Sequence, residues 1–500
     1  MGRRAIRQDH RRDRSRRIRR LRVHYLPSLA LCSRVVFVSN RSLCQRVGPR
    51  ISASSRRHAR AWDWSQHLHH HPHYGAVLAV CRAGHAIASP VRPGRASDYT
   101  TGGCVTWFLF CYWYEPDAPH DPVGLVRIWR LADTLAKVGD RVTVFAPRYR
   151  SALIQRTCAV IPIHLIHLRL LRPLSYALVS FLRGLMRALV TRPDIVYYRW
   201  MESPHALILA KLLGVPCVCE VNGEPVPQWP GNQRKFVCGF KDLLAQLALK
   251  RCDRIVVLTE GLRVLIQERY GVPLERIVVL PSGTDVQRFA ARDAVACRLE
   301  LGLLPNHPYV GFVGSFYRYQ GLACLLDAMM MVKRVCPTAE LLLVGDGEAT
   351  EELKQQAKGM GLESSITWVG RVPYWEVPTW IGAMSVCVAP FSGNRGETSP
   401  VKLFDYLACH RPVVASAIPS VVSTFTDDSG VQLVLPDDPR LLAESILVLL
   451  SDPGLCVMLG RQGRRFVEER FSWTAIVEQL RQCVGQDLGV IRNAHSHVLR

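Results

Sequence analysis

Short apolar runs alternate with amphipathic stretches from about residue 103 onward, and this alternation predicts the fold class. Residues 105–113 form a continuous apolar run, which is typical of a parallel strand buried on both faces. Residues 124–139 then show helical spacing of their apolar positions and end at a glycine, and residues 141–147 have the pattern of a second strand. Repeated alternation of this kind predicts an α/β protein with doubly wound parallel sheets and helices on both faces.

The alternation falls into two blocks, separated by a polar stretch at residues 291–308. The further strands that we predict are 194–198, 215–221, 254–259 and 276–280 in the first block, and 309–314, 340–345, 366–369, 385–390 and 413–417 in the second, with a helix at 321–335. A second helix is predicted at 464–483, with Phe471 and Trp473 as its anchor.

Two blocks of this length predict two Rossmann-like domains that face a cleft. We assign residues 101–295 to an N-terminal domain and residues 296–465 to a C-terminal domain. Residues 466–500 are assigned to a closing helix and a tail, and residues 1–100 to a separate extension. In such sheets, ligands bind at the carboxyl ends of the strands.

The positive charge of the chain is concentrated in its first hundred residues. They contain 21 arginines and four aspartates but no lysine or glutamate, so they carry +17 of the formal charge of +23. They also hold nine of the 17 histidines and show no sustained period. Three interpretations are open: a basic arm that binds nucleic acid or an anionic membrane, a metal site at the histidines of 67–73, or a disordered or mistranslated extension. We favour the last, and we expect no nucleic-acid partner.

The rest of the chain has the composition of a soluble enzyme. It carries a charge of +6, no run of 18 or more uncharged apolar residues, and no CxxC pair. We therefore expect no transmembrane helix, no disulfide framework and no structural zinc site, and we expect reduced thiols in a cytoplasmic protein. The arginine-rich beginning of the chain also lacks the pattern of a secretory signal.

A candidate anion site follows the fourth predicted strand of the second block. Ser399 followed by Pro400 is a favoured helix start, and a helix start offers free N–H groups and a positive dipole end to an anion. Lys402 adds a positive charge in the first turn, and Glu397 and Asp405 place carboxylates on either side. The arrangement suits a ligand with a phosphate at one end and a diol at the other, such as a ribosyl diphosphate.

These residues resemble the signature of the retaining, nucleotide-sugar-dependent glycosyltransferases of family 4, which have the GT-B fold of two Rossmann-like domains. The resemblance implies that residues 101–295 form the acceptor domain and residues 296–465 the donor nucleotide-sugar domain. Glu397-x7-Asp405 resembles the Glu-x7-Glu pattern of the family in its SP-x-K variant. The other matching segments are GDRVTVF at 139–145, YYR at 197–199, EVNG at 220–223, LPSGTD at 280–285 with Phe289, VGSF at 313–316 with QG at 320–321, VGDG at 344–347 and VGRV at 369–372. The resemblance covers roughly residues 103–480 in order, which is more specific than any single motif.

The resemblance implies an enzyme that moves a sugar from a nucleotide-diphosphate donor to an acceptor hydroxyl with retention of configuration, in polysaccharide or glycolipid assembly. It implies a carbohydrate or lipid-linked acceptor and no metal or other cofactor, in keeping with the lack of a D-x-D pair in the sequence. The implied catalytic residues are Glu397, Lys402 and Asn222. The implied donor-binding residues are Gly314, Ser315, Arg318, Arg371, Val372, Thr398, Ser399 and Asp405.

The resemblance also implies a role for each of these groups. Lys402 and backbone donors at the helix start stabilise the leaving diphosphate. Asp405 accepts hydrogen bonds from the ribose, and Glu397 contacts the transferred sugar. Arg371 and Val372 lie along the base.

Some positions depart from the family pattern. Ser315 and Gln320 stand where many relatives have arginine and lysine, and we hypothesise that Arg318 and Lys402 supply the missing charge. Asp405 is one methylene shorter than the usual glutamate. Two alternatives therefore stay open: a degenerate nucleotide-sugar binder without turnover, and a GT-B sugar-nucleotide epimerase, which forms its product without an acceptor.

Residues 170–190 form an amphipathic and basic stretch with Arg172, Arg183 and Arg187. Such a helix can lie on an anionic membrane surface, which suits a lipid-linked acceptor. The alternative is a helix packed on the first domain. The hypothesis adds a peripheral contact with the inner face of the cytoplasmic membrane.

Overall fold

The computed structural model describes residues 103–112, 123–148, 157–165, 171–200, 203–223, 235–395 and 399–488. The candidate residues Glu397 and Thr398, and the arginine-rich residues 1–100, lie outside the described residues. Within the described residues, the chain forms two α/β domains, each built on one parallel sheet. The predicted fold class is therefore confirmed.

The first domain contains a seven-stranded sheet in the order β3-β2-β1-β4-β5-β6-β7. Its strands are β1 Thr106–Phe110, β2 Arg141–Pro147, β3 Ala159–Ile163, β4 Ile195–Arg199, β5 Cys217–Val221, β6 Arg254–Val257 and β7 Ile277–Val279. Its helices are α1 Val123–Lys137, α2 Arg172–Val190, α3 His205–Leu213, α4 Lys235–Arg251 and α5 Glu260–Tyr270, with a 3₁₀ turn at Leu274–Arg276. Strand β3 was not predicted, because it is a half-exposed edge strand interrupted by a proline.

The second domain contains a six-stranded sheet in the order β10-β9-β8-β11-β12-β13. Its strands are β8 Tyr309–Val313, β9 Glu340–Val344, β10 Ile366–Gly370, β11 Val386–Ala389, β12 Val413–Ser416 and β13 Val431–Val434. The helices are α6 Ala294–Glu300, α7 Leu322–Val335, α8 Thr350–Gly359, α9 Val377–Ala383, α10 Val401–Ala408, α11 Pro419–Val422, α12 Pro439–Ser451, α13 Pro453–Arg470 and α14 Trp473–Leu488, with 3₁₀ turns at Arg318–Gln320 and Glu363–Ser365.

The central strands are buried on both faces, which explains their continuous apolar sequences. All five residues of β1 are buried. Phe110 stacks on Phe145 of β2 with ring centroids 4.4 Å apart, while Trp107 and Leu109 belong to the core on the opposite face. Full burial of one such side chain contributes roughly 1.5–3 kcal/mol, so helices on both faces are needed to cover the sheet.

The predicted helix at 464–483 is wrong in one respect: the chain forms two helices that are interrupted at Phe471 and Ser472. The backbone N–H of Thr284 donates to the Phe471 carbonyl at 2.8 Å, and Thr284 pairs with Ser472 in an isolated parallel bridge. The Phe471 ring stacks on Phe404 of α10 at 4.5 Å. A tertiary contact therefore replaces a helical turn that the apolar spacing alone favoured.

After this break, α14 returns to the first domain and packs on α1. Arg481 lies 3.4 Å from the buried Asp140 carboxylate and donates to the Gly103 carbonyl at 3.5 Å. Asp140 also accepts hydrogen bonds from the Val105 backbone and the Trp107 indole, at 3.1 and 2.9 Å. The last helix of the second half of the chain is therefore bonded to the start of the first sheet.

The residue that ends α10 has a conformation that favours glycine. His410 has a φ of 59°, the left-handed conformation in which a helix commonly ends at a glycine. We predict that His410→Gly raises the free energy of unfolding by about 1 kcal/mol. The left-handed conformation costs residues other than glycine about 1–2 kcal/mol, and glycine avoids this cost. Part of the gain is lost because glycine gives the unfolded chain more conformational entropy. Urea unfolding measures the change.

Asp437 provides the matched comparison, because its φ of 58° is the same within a degree. Its carboxylate accepts a hydrogen bond from the Gly393 backbone at 2.8 Å, which Asp437→Gly removes. We expect no stabilisation from that variant. An equal gain from both variants would contradict the argument.

Candidate active site

The strand order of the second sheet reverses between β8 and β11, and the loops at their carboxyl ends diverge there. In doubly wound sheets this switch point is where ligands bind. Gly314 directly follows β8, and a Cβ built on it would lie 3.0 Å from the Nζ of Lys402 in the first turn of α10. The structure therefore brings these two predicted residues together, with Ser315 exposed beside them.

Lys402 is held by polar and aromatic contacts. Its Nζ donates a hydrogen bond to the Gln320 side-chain oxygen at 2.8 Å. The ammonium also lies 3.7 Å from the centroid of the Phe312 ring and 5.5 Å from that of Phe391, distances that give cation–π stabilisation. Burial, together with the charge of Arg395, lowers the pKa of Lys402 well below its ordinary value. Lys402 thus places a positive group beside Gln320, as the hypothesis of a displaced charge requires.

A glycine fixes the position of Gln320. Gly321 has a φ of 72°, and a Cβ there would lie 1.7 Å from the Pro390 carbonyl oxygen. Ser392 also donates its backbone N–H to the Tyr319 carbonyl at 3.1 Å. The turn after β8 is therefore packed against the loop after β11, which directs Gln320 toward Lys402.

The other charged donor-binding candidates are more exposed. Arg318 bonds to Glu352 at 3.0 Å, and its side chain is 70% exposed. The structure gives no support to the hypothesis that Arg318 supplies the missing charge, because that charge is paired at the surface. Arg371 lies 3.8 Å from Asp346 and is 80% exposed, while Val372 packs partly buried against the core.

The start of α10 differs from the prediction. The helix begins at Val401 with Pro400 as its N-cap, and Ser399 does not cap it. Pro400 has a ψ of 55° and its carbonyl accepts from the Leu403 N–H at 3.0 Å, so a tight turn takes the place of the expected first helical residues. Ser399 Oγ is buried and has no hydrogen-bond partner among the described residues, which leaves a polar atom available at the switch point.

Asp405 joins the two domains. Thr284, in the loop after β7, donates its hydroxyl to Asp405 Oδ1 at 2.5 Å. Burial, together with the charge of Asp285, raises the pKa of Asp405 to about 7, although the hydrogen bond from Thr284 and the charge of Arg130 oppose the shift. The residue expected to bind ribose therefore already has a partner from the opposite domain.

Tyr374 lies next to this contact and was not singled out by the sequence. Its ring lies 5.5 Å from the ring of Phe289, and the guanidinium groups of Arg130 and Arg288 lie 5.8 and 5.6 Å from its centroid. Burial and the charge of Asp405 raise the pKa of Tyr374. The Tyr374 ring of the second domain thus lies close to two arginines of the first domain.

A buried ion pair shapes the first-domain side of the cleft. Arg127 of α1 bonds to Glu220 at the end of β5 at 2.8 Å, and both side chains are buried. Arg127 also donates to the carbonyls of Leu280 and Pro281, at 3.0 and 2.7 Å. Burial alone would raise the pKa of Glu220. The positive charges of Arg127 and Arg199 and the hydrogen bond from Tyr197 have the larger effect, so the pKa is lowered overall. The EVNG match indicated Glu220, whereas nothing local distinguished Arg127 from other arginines of an amphipathic helix.

Asn222 lies two residues beyond Glu220, at the carboxyl edge of the first sheet. Its Oδ1 is buried and has no hydrogen-bond partner within the part of the chain that the structure describes. A buried acceptor without a partner is uncommon and is a position where a ligand hydroxyl can bind. As for a metal, the described ranges contain no group of three or more His, Cys, Asp or Glu side chains arranged to hold one.

Two family models match the chain, one on each domain. The model described as Glycosyltransferase Family 4 matches residues 126–288, and the model described as Glycosyl transferases group 1 matches residues 307–452. Together they span more than half of the sequence. The chain belongs to the group 1, family 4 glycosyltransferases.

Curated relatives agree with this assignment. The chain is 27% identical over 437 residues to a D-inositol 3-phosphate glycosyltransferase of Segniliparus rotundus, a match that covers 81% of this chain and 94% of the relative. It is 29% identical over 208 residues to a GDP-mannose-dependent monoacylated alpha-(1-6)-phosphatidylinositol monomannoside mannosyltransferase of Corynebacterium glutamicum. That second match covers 40% of this chain and 54% of the relative.

Solved glycosyltransferase structures have the same fold. Sucrose-phosphate synthase from Thermosynechococcus elongatus superimposes with a TM-score of 0.60 at 20% identity, covering 77% of this chain and 99% of that one. Anabaena HepE in complex with UDP gives a TM-score of 0.59 at 18% identity, covering 76% of this chain and all of that one. At these identities the likeness establishes the GT-B fold.

The raised pKa of Asp405 leads to a prediction about stability. Between its unfolded pKa near 3.8 and its folded pKa of about 7, the folded state binds more protons, so the free energy of unfolding falls as the pH rises through this window. Asp405→Asn keeps an oxygen that can accept from Thr284 but carries no charge. We expect the variant to be more stable than the wild type at pH 8, by on the order of 2 kcal/mol, and equally stable near pH 4.

Urea unfolding at several pH values tests this, with Glu444→Gln as the control because that carboxylate is 60% exposed. The control should follow the wild-type profile. A profile for Asp405→Asn that runs parallel to the wild type from pH 4 to 8 would refute the prediction.

Proposed function

We propose that this glycosyltransferase moves a sugar from a nucleotide-diphosphate donor to an acceptor hydroxyl with retention of configuration, in glycolipid or polysaccharide assembly. The observation that carries the proposal is Lys402, a half-buried lysine that lies at the switch point of the second sheet and bonds to a neutral amide. A developing diphosphate is a multiply charged leaving group, and a preorganised cation in a low-dielectric site stabilises it strongly. Anabaena HepE, which has the same fold and is known in complex with UDP and with UDP-glucose, supports a donor of this class.

In the proposed mechanism, Lys402 donates to the diphosphate as the bond to the sugar breaks. The Ser399 hydroxyl, which has no hydrogen-bond partner among the described residues, adds a neutral donor at the same point. These groups supply the charge stabilisation without a metal. Glu397 contacts the transferred sugar, a role taken from the family resemblance.

Asp405 is proposed to accept from the ribose hydroxyls. One of its oxygens accepts from Thr284, which leaves the other oxygen for the donor. Arg371 and Val372 follow β10 and precede Tyr374, so they are proposed to line the base. On the opposite wall, Asn222 Oδ1 is proposed to accept a hydrogen bond from the acceptor.

The proposal predicts that Lys402→Met weakens nucleoside diphosphate binding by about 10- to 100-fold, because a hydrogen bond from a charged group contributes about 1.5–3 kcal/mol. Methionine has a similar length and apolar stem, and the variant removes the charge together with the hydrogen bond to Gln320. Thermal shift with UDP, GDP, ADP and TDP identifies the base, since a ligand at a hundred times its Kd stabilises by about 2.7 kcal/mol. Lys354→Met, which alters a half-exposed lysine paired with Glu351, is the control.

Turnover separates the proposal from its alternatives. Incubation of the donor that binds with candidate acceptors, including inositol phosphate, should release nucleoside diphosphate only when an acceptor is present. The anomeric coupling constant of the product reports retention. An altered donor sugar formed without an acceptor would instead identify an epimerase, and binding without turnover would identify a degenerate binder.

We further propose that α2 rests on an anionic membrane surface. One face of the helix packs on the first domain, where a Cβ on Gly184 would lie 2.7 Å from Leu209 and 3.0 Å from Phe110. The opposite face exposes Leu174, Leu178, Leu182, Met186 and Leu189, at 67, 61, 47, 55 and 84%. By length and composition α2 is the one helix of the described part that could also cross a membrane, and the packed face favours a surface location instead.

Helix α3 extends this apolar surface, and the charge of the surrounding residues indicates what the surface contacts. Ile208 and Leu212 of α3, which packs on α2, are 54 and 63% exposed. Residues 171–193 contain four arginines and no acidic residue. An apolar face flanked only by positive charges is complementary to anionic lipid. A basic protein surface would repel it.

Vesicle sedimentation tests the membrane contact. Wild-type protein should bind phosphatidylglycerol vesicles at low salt and bind phosphatidylcholine weakly. Arg183→Gln with Arg187→Gln should weaken binding by roughly 30-fold, since each basic residue near an anionic surface contributes about 1 kcal/mol. Leu178→Glu with Leu182→Glu should abolish it, whereas Val457→Glu with Met458→Glu on α13, at 53 and 54% exposure, should leave it unchanged. Equal binding by all variants would contradict the proposal.

A further inference from the structure

The loop after β11 carries an arginine that neither the sequence motifs nor the family pattern singled out. Arg395 lies in this loop, and its backbone N–H donates to the Ser392 carbonyl at 3.0 Å. Ser392 in turn donates to Tyr319 in the turn after β8, and Gly393 donates to Asp437 at 2.8 Å. The backbone that presents Arg395 is therefore fixed at the switch point of the sheet.

Arg395 and Lys402 lie over the same aromatic ring. The guanidinium carbon of Arg395 lies 4.0 Å from the centroid of the Phe391 ring, and the Lys402 Nζ lies 5.5 Å from it. The charge of Arg395 contributes to the lowered pKa of Lys402, which agrees with their proximity. Two positive side chains thus converge where the β8 and β11 loops meet.

The electrostatics of this arrangement favour an anion with more than one charge. Lys402 bonds to the neutral amide of Gln320 and not to a carboxylate. Like charges held close together in a partly buried site repel each other, and the repulsion is relieved when a multiply charged anion binds between them. Arginine also presents a fork of donors that can bind two phosphate oxygens at once, which a lysine cannot do.

We propose that Arg395 is a second cation for the donor diphosphate, acting with Lys402 and replacing the charge that Ser315 and Gln320 do not carry. This inference rests on the proposed function, since it concerns the same donor site. It assigns the two phosphates different partners: Lys402 is a point charge at the buried end, and Arg395 is a bidentate partner on the loop. Diphosphates should therefore depend on Arg395 more than monophosphates do.

The test compares a nucleoside diphosphate with its monophosphate, using the base that the wild type prefers, and inorganic pyrophosphate as a third probe. Arg395→Ala should weaken diphosphate binding by about 10- to 100-fold and monophosphate binding by less than about threefold. Arg395→Lys should restore part of the diphosphate affinity. Arg440→Ala, on an exposed arginine paired with Glu444, should change neither.

The outcomes separate this inference from the proposed function. If the diphosphate and monophosphate weaken equally in Arg395→Ala, or if neither weakens, Arg395 does not bind the diphosphate and the inference fails while the function stands. If the wild type binds pyrophosphate but no nucleotide, and Arg395→Ala weakens the binding of pyrophosphate, the proposed function is wrong but the anion site at Arg395 stands. If none of the three probes binds the wild type, both fail. Thermal melting without ligand checks that each variant is folded.

Discussion

The buried ion pair between Arg127 and Glu220 anchors the loop that contacts the second domain. A buried charge pair has a large desolvation penalty and is tolerated only when its remaining donors are also satisfied. Here the spare guanidinium N–H groups bond to the carbonyls of Leu280 and Pro281, so the pair holds the loop after β7 in place. That loop then supplies Thr284 to Asp405 and to the break between α13 and α14. One ion pair between α1 and the end of β5 thus holds the loop that reaches the proposed donor site.

On the opposite side of the cleft, close backbone packing does the same for Gln320 and Lys402. Because only glycine fits at position 321, the turn after β8 lies against the loop after β11, and two side chains far apart in sequence approach each other. Lys402, in the first turn of α10, thus bonds to the neutral Gln320 side chain. The proposed donor site therefore draws its positive groups from the loop after β11 and from α10, and not from Ser315 or Gln320.

The sequence predicted the elements that are buried on both faces well. It predicted less well the elements whose bounds or partners depend on contacts between distant parts of the chain. Central strands such as β1 and β2 were found because both faces are buried and their apolar runs are unbroken. The edge strands β3 and β13 were missed, since half-exposed strands lack that pattern. Ser399 has the local preference of a cap, but the tight turn at Pro400 overrides it. The partner of Asp405 could not be found from spacing, because Thr284 lies 121 residues away. The roles of Lys402 and Asn222 remain predictions.

The return of α14 to the first domain has a consequence for synthesis of the chain. Domains generally fold from the N-terminus as they leave the ribosome. The first sheet, however, is bonded at Asp140 to Arg481, a residue made about 340 positions later, and the face of α1 that α14 covers stays open until then. A nascent chain can build both sheets and still expose that apolar face to solvent or to a chaperone. Release of the last few dozen residues therefore completes the N-terminal domain as well as the C-terminal one.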